Sequence, residues 1–67
     1  MVQLAGCEDN GCPGIWIDGD QLLAQGATVT DQDILARTNP SDSESLVALP
    51  KRMLGEAMAS ALTRLIA

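Results

Sequence analysis

Near the C-terminus the apolar residues Leu54, Ala57, Met58, Ala61, Leu62 and Leu65 recur at steps of three and four. That spacing returns to one side of an α-helix, while Arg52, Glu56, Ser60 and Thr63 take the other side. It predicts an amphipathic helix over residues 51–66, with Pro50 at its start, where the missing N–H costs nothing. A helix with an apolar stripe must bury it against another layer, so the remaining residues have to supply one. If Leu62 is buried on that face, Leu62→Ala is expected to cost roughly 2–5 kcal/mol.

The covering layer reads as a small sheet. Ile15 and Ile17 point to one face of a strand and Trp16 to the other. Asp18-Gly19 signals a hairpin, because glycine accepts the positive φ of primed turns. A second strand is expected over residues 20–25, which Gly26 ends or bulges, with Ala27 to Val29 as its continuation. Residues 1–13 read as an irregular, cysteine-containing segment, although Val2 and Leu4 alternate as in a short edge strand. Thr30 opens a short helix, TDQDILART, in which Asp31 and Asp33 complement the helix dipole and Ile34 and Leu35 are the apolar anchors. It stops before Asn39-Pro40. SDSES is a polar loop, and residues 45–49 read as a third strand. The expectation is one α+β domain over residues 1–67: a small antiparallel sheet, order β-β-α-β-α, with helices packed on one face.

With 67 residues, the chain lies near the lower limit for a self-sufficient core. Hydrophobic residues make up 46%, which excludes a disordered polymer, yet Trp16 is the only aromatic. A core of Leu, Ile, Val, Met and Ala buries less area per residue than rings do, which points to a homodimer. The net charge of −5 argues against nucleic acid and anionic membrane surfaces as partners. No apolar run approaches the ~20 residues of a membrane span, and MVQLAG lacks the features of a signal peptide, so the expected compartment is the cytoplasm.

Chemistry is constrained by absence. The sequence has no His, so imidazole catalysis and ligation are excluded. Ser41, Ser43, Ser45 and Ser60 have no imidazole base, Lys51 reads as solvated, and there is no phosphate-binding loop or dinucleotide fingerprint. The expectation is no enzyme and no cofactor. Cys7 and Cys12 fall in GCEDNGCPG, with four residues between them. The first reading is a turn whose thiols pack as small hydrophobes, the second a short disulfide, the third a metal site shared between subunits or completed by Glu8 or Asp9. Redox dithiols normally have two intervening residues and a helix start, and neither is present. Asp18-Gly19-Asp20 is a fragment of a calcium-type loop that the hairpin turn explains more simply.

Lys51-Arg52 is the only basic pair. Two cations at a helix N-terminus oppose the dipole, and Glu56 one turn on is the simplest partner for Arg52. Trp16, opposite Ile15 and Ile17, is either an exposed anchor for a partner or, in the other register, a core residue. Trp16, Lys51 and Arg52 are therefore the candidate partner-binding residues.

CPGIWIDGDQLLAQGATVTDQDILA followed by SDSESLVALPKRML resembles a family of small actinobacterial proteins of unassigned function. The matching segments are CPGIWI, LLAQGATVTD and ESLVALP, within roughly residues 7–55. Asn39-Pro40-Ser41 replaces a more apolar segment of that family, and Gln32 stands where proline is common. Members are often encoded beside helix-turn-helix regulators, so the resemblance implies a regulatory accessory that acts through a protein partner. VALPKR before a helix also resembles swapped-hairpin transition-state regulators. Those are basic DNA binders and this chain is acidic, so that function does not carry over. Three function classes follow: a non-enzymatic interaction module, a redox- or metal-responsive switch on Cys7 and Cys12, and a DNA-binding subunit of a dimer using Lys51 and Arg52.

Overall fold

The computed structural model describes residues 1–7 and 11–65. Its architecture is α+β. Strands β1 (Val2–Gly6), β2 (Gly14–Asp18) and β3 (Gln21–Gln25) form an antiparallel sheet in that order. β4 (Ala27–Thr28) pairs antiparallel with β5 (Val47–Ala48), and helices α1 (Gln32–Thr38) and α2 (Arg52–Leu65) complete the chain. The expected order β-β-α-β-α is thus kept in outline, with an added strand at the N-terminal end and β3 and β4 separated at Gly26. A Cβ on Gly26 would run into the Ala48 carbonyl and the Leu49 side chain, so only glycine lets the chain pass from one sheet to the other here.

Segment 1–13, expected to be irregular, carries all of β1. A register shift between Gln3 and Ala5 explains why alternation conceals it. The bulge turns two consecutive side chains, Leu4 and Ala5, into the core. Gly6 then leaves the strand at φ 108°, where a Cβ would meet the Pro13 carbonyl. The β2–β3 hairpin follows the Asp-Gly signal. Asp18 pairs with Gln21, leaving Gly19-Asp20 as the loop, with Gly19 at φ 62° and Asp20 not in the positive region. Glycine at the first central position with a normal second residue is the pattern of a type II′ turn.

Ile15 and Ile17 face inward, and α2 lies over that face, mainly on β1 and less on β2. Leu4, Ala5, Met53 and Ala57 form the buried core, with Ile15, Ile17, Leu49 and Ala61 packed around it. This corrects the apolar face read from the helix. Ala57 and Ala61 do turn toward the sheet, but Met53 joins them at 2% exposure, while Leu54, Met58 and Leu62 remain 65%, 56% and 58% exposed. The Leu65 side chain lies outside the described residues. The apolar arc of α2 is wide enough for two overlapping stripes. The sheet takes the one rich in alanine, because small side chains let the helix approach it closely. Leu62→Ala therefore removes no core contact within the chain.

α1 is also not part of the packed layer, since none of its residues is buried. Its ends are nevertheless well made. Asp31, rather than Thr30, is the N-cap, and its Oδ1 accepts from the N–H groups of Asp33 (2.9 Å) and Ile34 (3.2 Å). Asn39 closes the helix at φ 51°, donating its N–H to the Leu35 carbonyl at 2.8 Å. The expected stop before Pro40 is thus also a left-handed cap. The Ser41–Glu44 loop is closed by Ser41 N–H donating to Glu44 Oε1 at 2.9 Å, which holds the Glu44 carboxyl below the ordinary glutamate range.

Candidate functional site

The outer face of the sheet carries Trp16. Alternation along β2 places it opposite Ile15 and Ile17, and it is half-buried. Its indole lies against Gly14, where a Cβ would collide with the ring. Leu23 stands directly across from it on β3, a pairing that puts an aliphatic side chain beside an aromatic one on the same face. Met1, Trp16, Leu23, Ala24 and Gln25 line a shallow cleft of about 270 Å³. Among the described residues no helix packs over this face, and Trp16 is only half-buried there.

The cysteines lie at one end of the same sheet. Cys7 and Cys12 are joined as a disulfide, with Cα atoms 5.9 Å apart, inside the ordinary range for such a bridge. Two carboxamides hold the loop from opposite strands. Gln3 Nε2 donates to the Cys7 carbonyl at 3.0 Å, and Gln25 Nε2 donates to the Cys12 carbonyl at 3.1 Å. Neither glutamine stands out in the sequence. Their signal was positional: register places Gln3 across from Trp16 and Gln25 across from Gly14, next to the chain ends that need holding. Beside the disulfide is a cleft of about 300 Å³ lined by Cys7, Cys12, Pro13, Arg52, Met53 and Glu56.

Lys51 and Arg52 are adjacent in sequence but serve different grooves. Arg52 borders the cysteine cleft, whereas Lys51 borders an apolar groove with Ile15, Leu49 and Leu54. Both are exposed, and the first turn of α2 has no acidic residue. Among the described residues Arg52 and Glu56 form no ion pair, so the simplest explanation for Arg52 does not operate. The cation candidates Asp18 and Asp20 stand on either side of Gly19 at the hairpin turn, and among the described residues no three metal-type donors converge. Glu8 and Asp9, the acids considered as ligands beside the cysteines, lie outside the described residues. No described helix is long and apolar enough to cross a membrane.

No protein-family model, curated protein or solved structure matches the chain.

Proposed function

We propose that this chain is a non-enzymatic protein-interaction module, a regulatory accessory that docks onto a transcriptional regulator of the helix-turn-helix type in the cytoplasm. The observation that carries the reading is the uncovered apolar cleft at Trp16 and Leu23 on the outer sheet face. A half-buried tryptophan fixed on a rigid strand is the kind of group that anchors interfaces. The net charge of −5 suits a protein partner better than the phosphate backbone of a nucleic acid. The nature of the partner rests on the resemblance of CPGIWI, LLAQGATVTD and ESLVALP to the small actinobacterial family. A pull-down from the native host, run beside Trp16→Ala, tests this. A regulator captured by the native chain and lost with Trp16→Ala supports it; capture of no protein partner counts against it.

A second reading has its own observation. The Cys7–Cys12 bridge borders the cleft that Arg52 lines. A guanidinium beside a thiol favours the thiolate, the form that takes part in exchange. In this reading the loop is a redox-responsive switch. Intact mass under native and reducing conditions tests it, and two free thiols in protein prepared without reductant would remove it. No comparable observation favours the DNA-binding reading, and the net charge of −5 opposes it.

A further inference from the structure

We propose that a second copy of this chain covers the exposed flank of α2 and the open inner face of β3, so that the protein is a two-fold dimer. This rests on the reading of the chain as an interaction module and names its partner on a face distinct from that of Trp16.

Leu54, Met58 and Leu62 succeed one another at steps of four along α2, a stripe about 12 Å long. They are not isolated surface residues. The stripe begins at a groove of about 230 Å³ lined by Ile15, Leu49, Met53 and Leu54, which joins it to the core. On the sheet, Leu22 stands across from the inward-facing Ile17 and so shares its face, yet it is 69% exposed, because α2 leaves β3 open. Leu22 and the α2 stripe are thus the exposed apolar groups left by the way α2 sits on the sheet, and in the proposed dimer they are the floor and wall of one trough that the second copy fills.

The surface area indicates how large a partner is needed. The chain exposes 5392 Å². A folded monomer of its 7.0 kDa mass is expected to expose about 4,000 Å². That surplus is spread over the whole chain, the unburied α1 included, and is large enough to accommodate the roughly 800 Å² that each partner contributes to a standard interface. The radius of gyration agrees: it is 13.4 Å, against about 11 Å for a compact chain of this length.

The symmetry of the stripe identifies the occupant. Met58 lies at its centre, with a leucine four residues to either side. A two-fold axis near Met58 therefore sets the stripe against its own copy, and such a contact closes on itself instead of propagating. From Met53 to Thr63 the only charged residue is Glu56, which faces the cysteine cleft instead of the trough. No like charges oppose one another within the stripe, and methionine adapts its shape to the facing surface.

Sedimentation equilibrium of the full chain should give twice 7.0 kDa, with a melting temperature that rises with protein concentration. Met58→Glu and Leu62→Lys should each yield the single-chain mass, and Trp16→Ala should remain a dimer. A native chain that stays monomeric, with a melting temperature independent of concentration, overturns the proposal. A dimer that survives both Met58→Glu and Leu62→Lys also overturns it, as does a monomer that binds phosphatidylcholine vesicles through the stripe. Should the charged variants fail to fold, the mass and concentration dependence of the native chain still decide. Loss of the dimer alone leaves the Trp16 pull-down unaffected, so the two readings fail separately.

Discussion

Met53 is the residue on which α2 is seated. At 2% exposure it meets Leu4 and Ala5 of β1 from the first turn of the helix. Truncating a buried methionine removes transfer energy and leaves a void, so Met53→Ala is expected to destabilise by about 2–5 kcal/mol in a denaturant melt. Leu54→Ala, one residue on, should change the stability of the isolated chain far less. Glu44 is informative for the opposite reason, since it is fully exposed and its effect is purely local. The Ser41 N–H favours its ionised form and lowers its pKa. A depressed folded-state pKa adds stability that is present above the unfolded value of about 4.3 and is lost as the pH falls through the folded value. An NMR titration should place the Glu44 midpoint below that of a free glutamate. Ser41→Ala, which removes the nearby hydroxyl that also lowers the pKa but keeps the N–H, should raise it partway. An unshifted Glu44 midpoint would show that this bond does not persist in solution.

At the scale of elements the two helices rest on different forces. α1 has seven residues and buries none, so its cap and local bonds hold it. A helix this short is marginal on its own. Asp31→Ala should cost about 1 kcal/mol and abolish much of α1, read from the chemical shifts of residues 32–38. α2 is held by packing and tolerates a weak position. Gly55, the fourth residue of α2, has open space around a would-be Cβ. Gly55→Ala should therefore stabilise by roughly 0.5–1 kcal/mol, visible as a higher melting temperature. The period of three and four made α2 legible in the sequence, but it did not say which of two overlapping stripes meets the sheet. β1 was half legible. Val2 and Leu4 suggest a strand, and the bulge that buries Leu4 beside Ala5 breaks the alternation by which strands are recognised.

The whole molecule depends on connections that span the sheet. The Cys7–Cys12 bridge closes a short loop that Gln3 and Gln25 hold from β1 and β3. By the chain-entropy relation a loop of this length contributes about 2 kcal/mol. Thermal melts with and without reductant should differ by that amount. Equal stability in the two conditions would show that the glutamine bonds alone keep the loop in place. The same scale contains the two apolar faces, at Trp16 and along Leu54, Met58 and Leu62. They lie on opposite sides of the sheet, so a dimer closed on the α2 side leaves both Trp16 clefts facing outward.

Local physics by itself determined the hairpin at Gly19, the stop before Pro40, the amphipathic character of α2 and the lack of imidazole chemistry. Each follows from backbone preference, side-chain period or composition, and none needs a distant neighbour. The tertiary structure alone decided that Met53 and not Leu62 is buried, that Gln3 and Gln25 clasp the cysteine loop, and that Arg52 and Lys51 border different clefts. These depend on where α2 comes to rest across β1 and on the β1 bulge. Both are set by how closely surfaces fit, which the order of residues along the chain does not display.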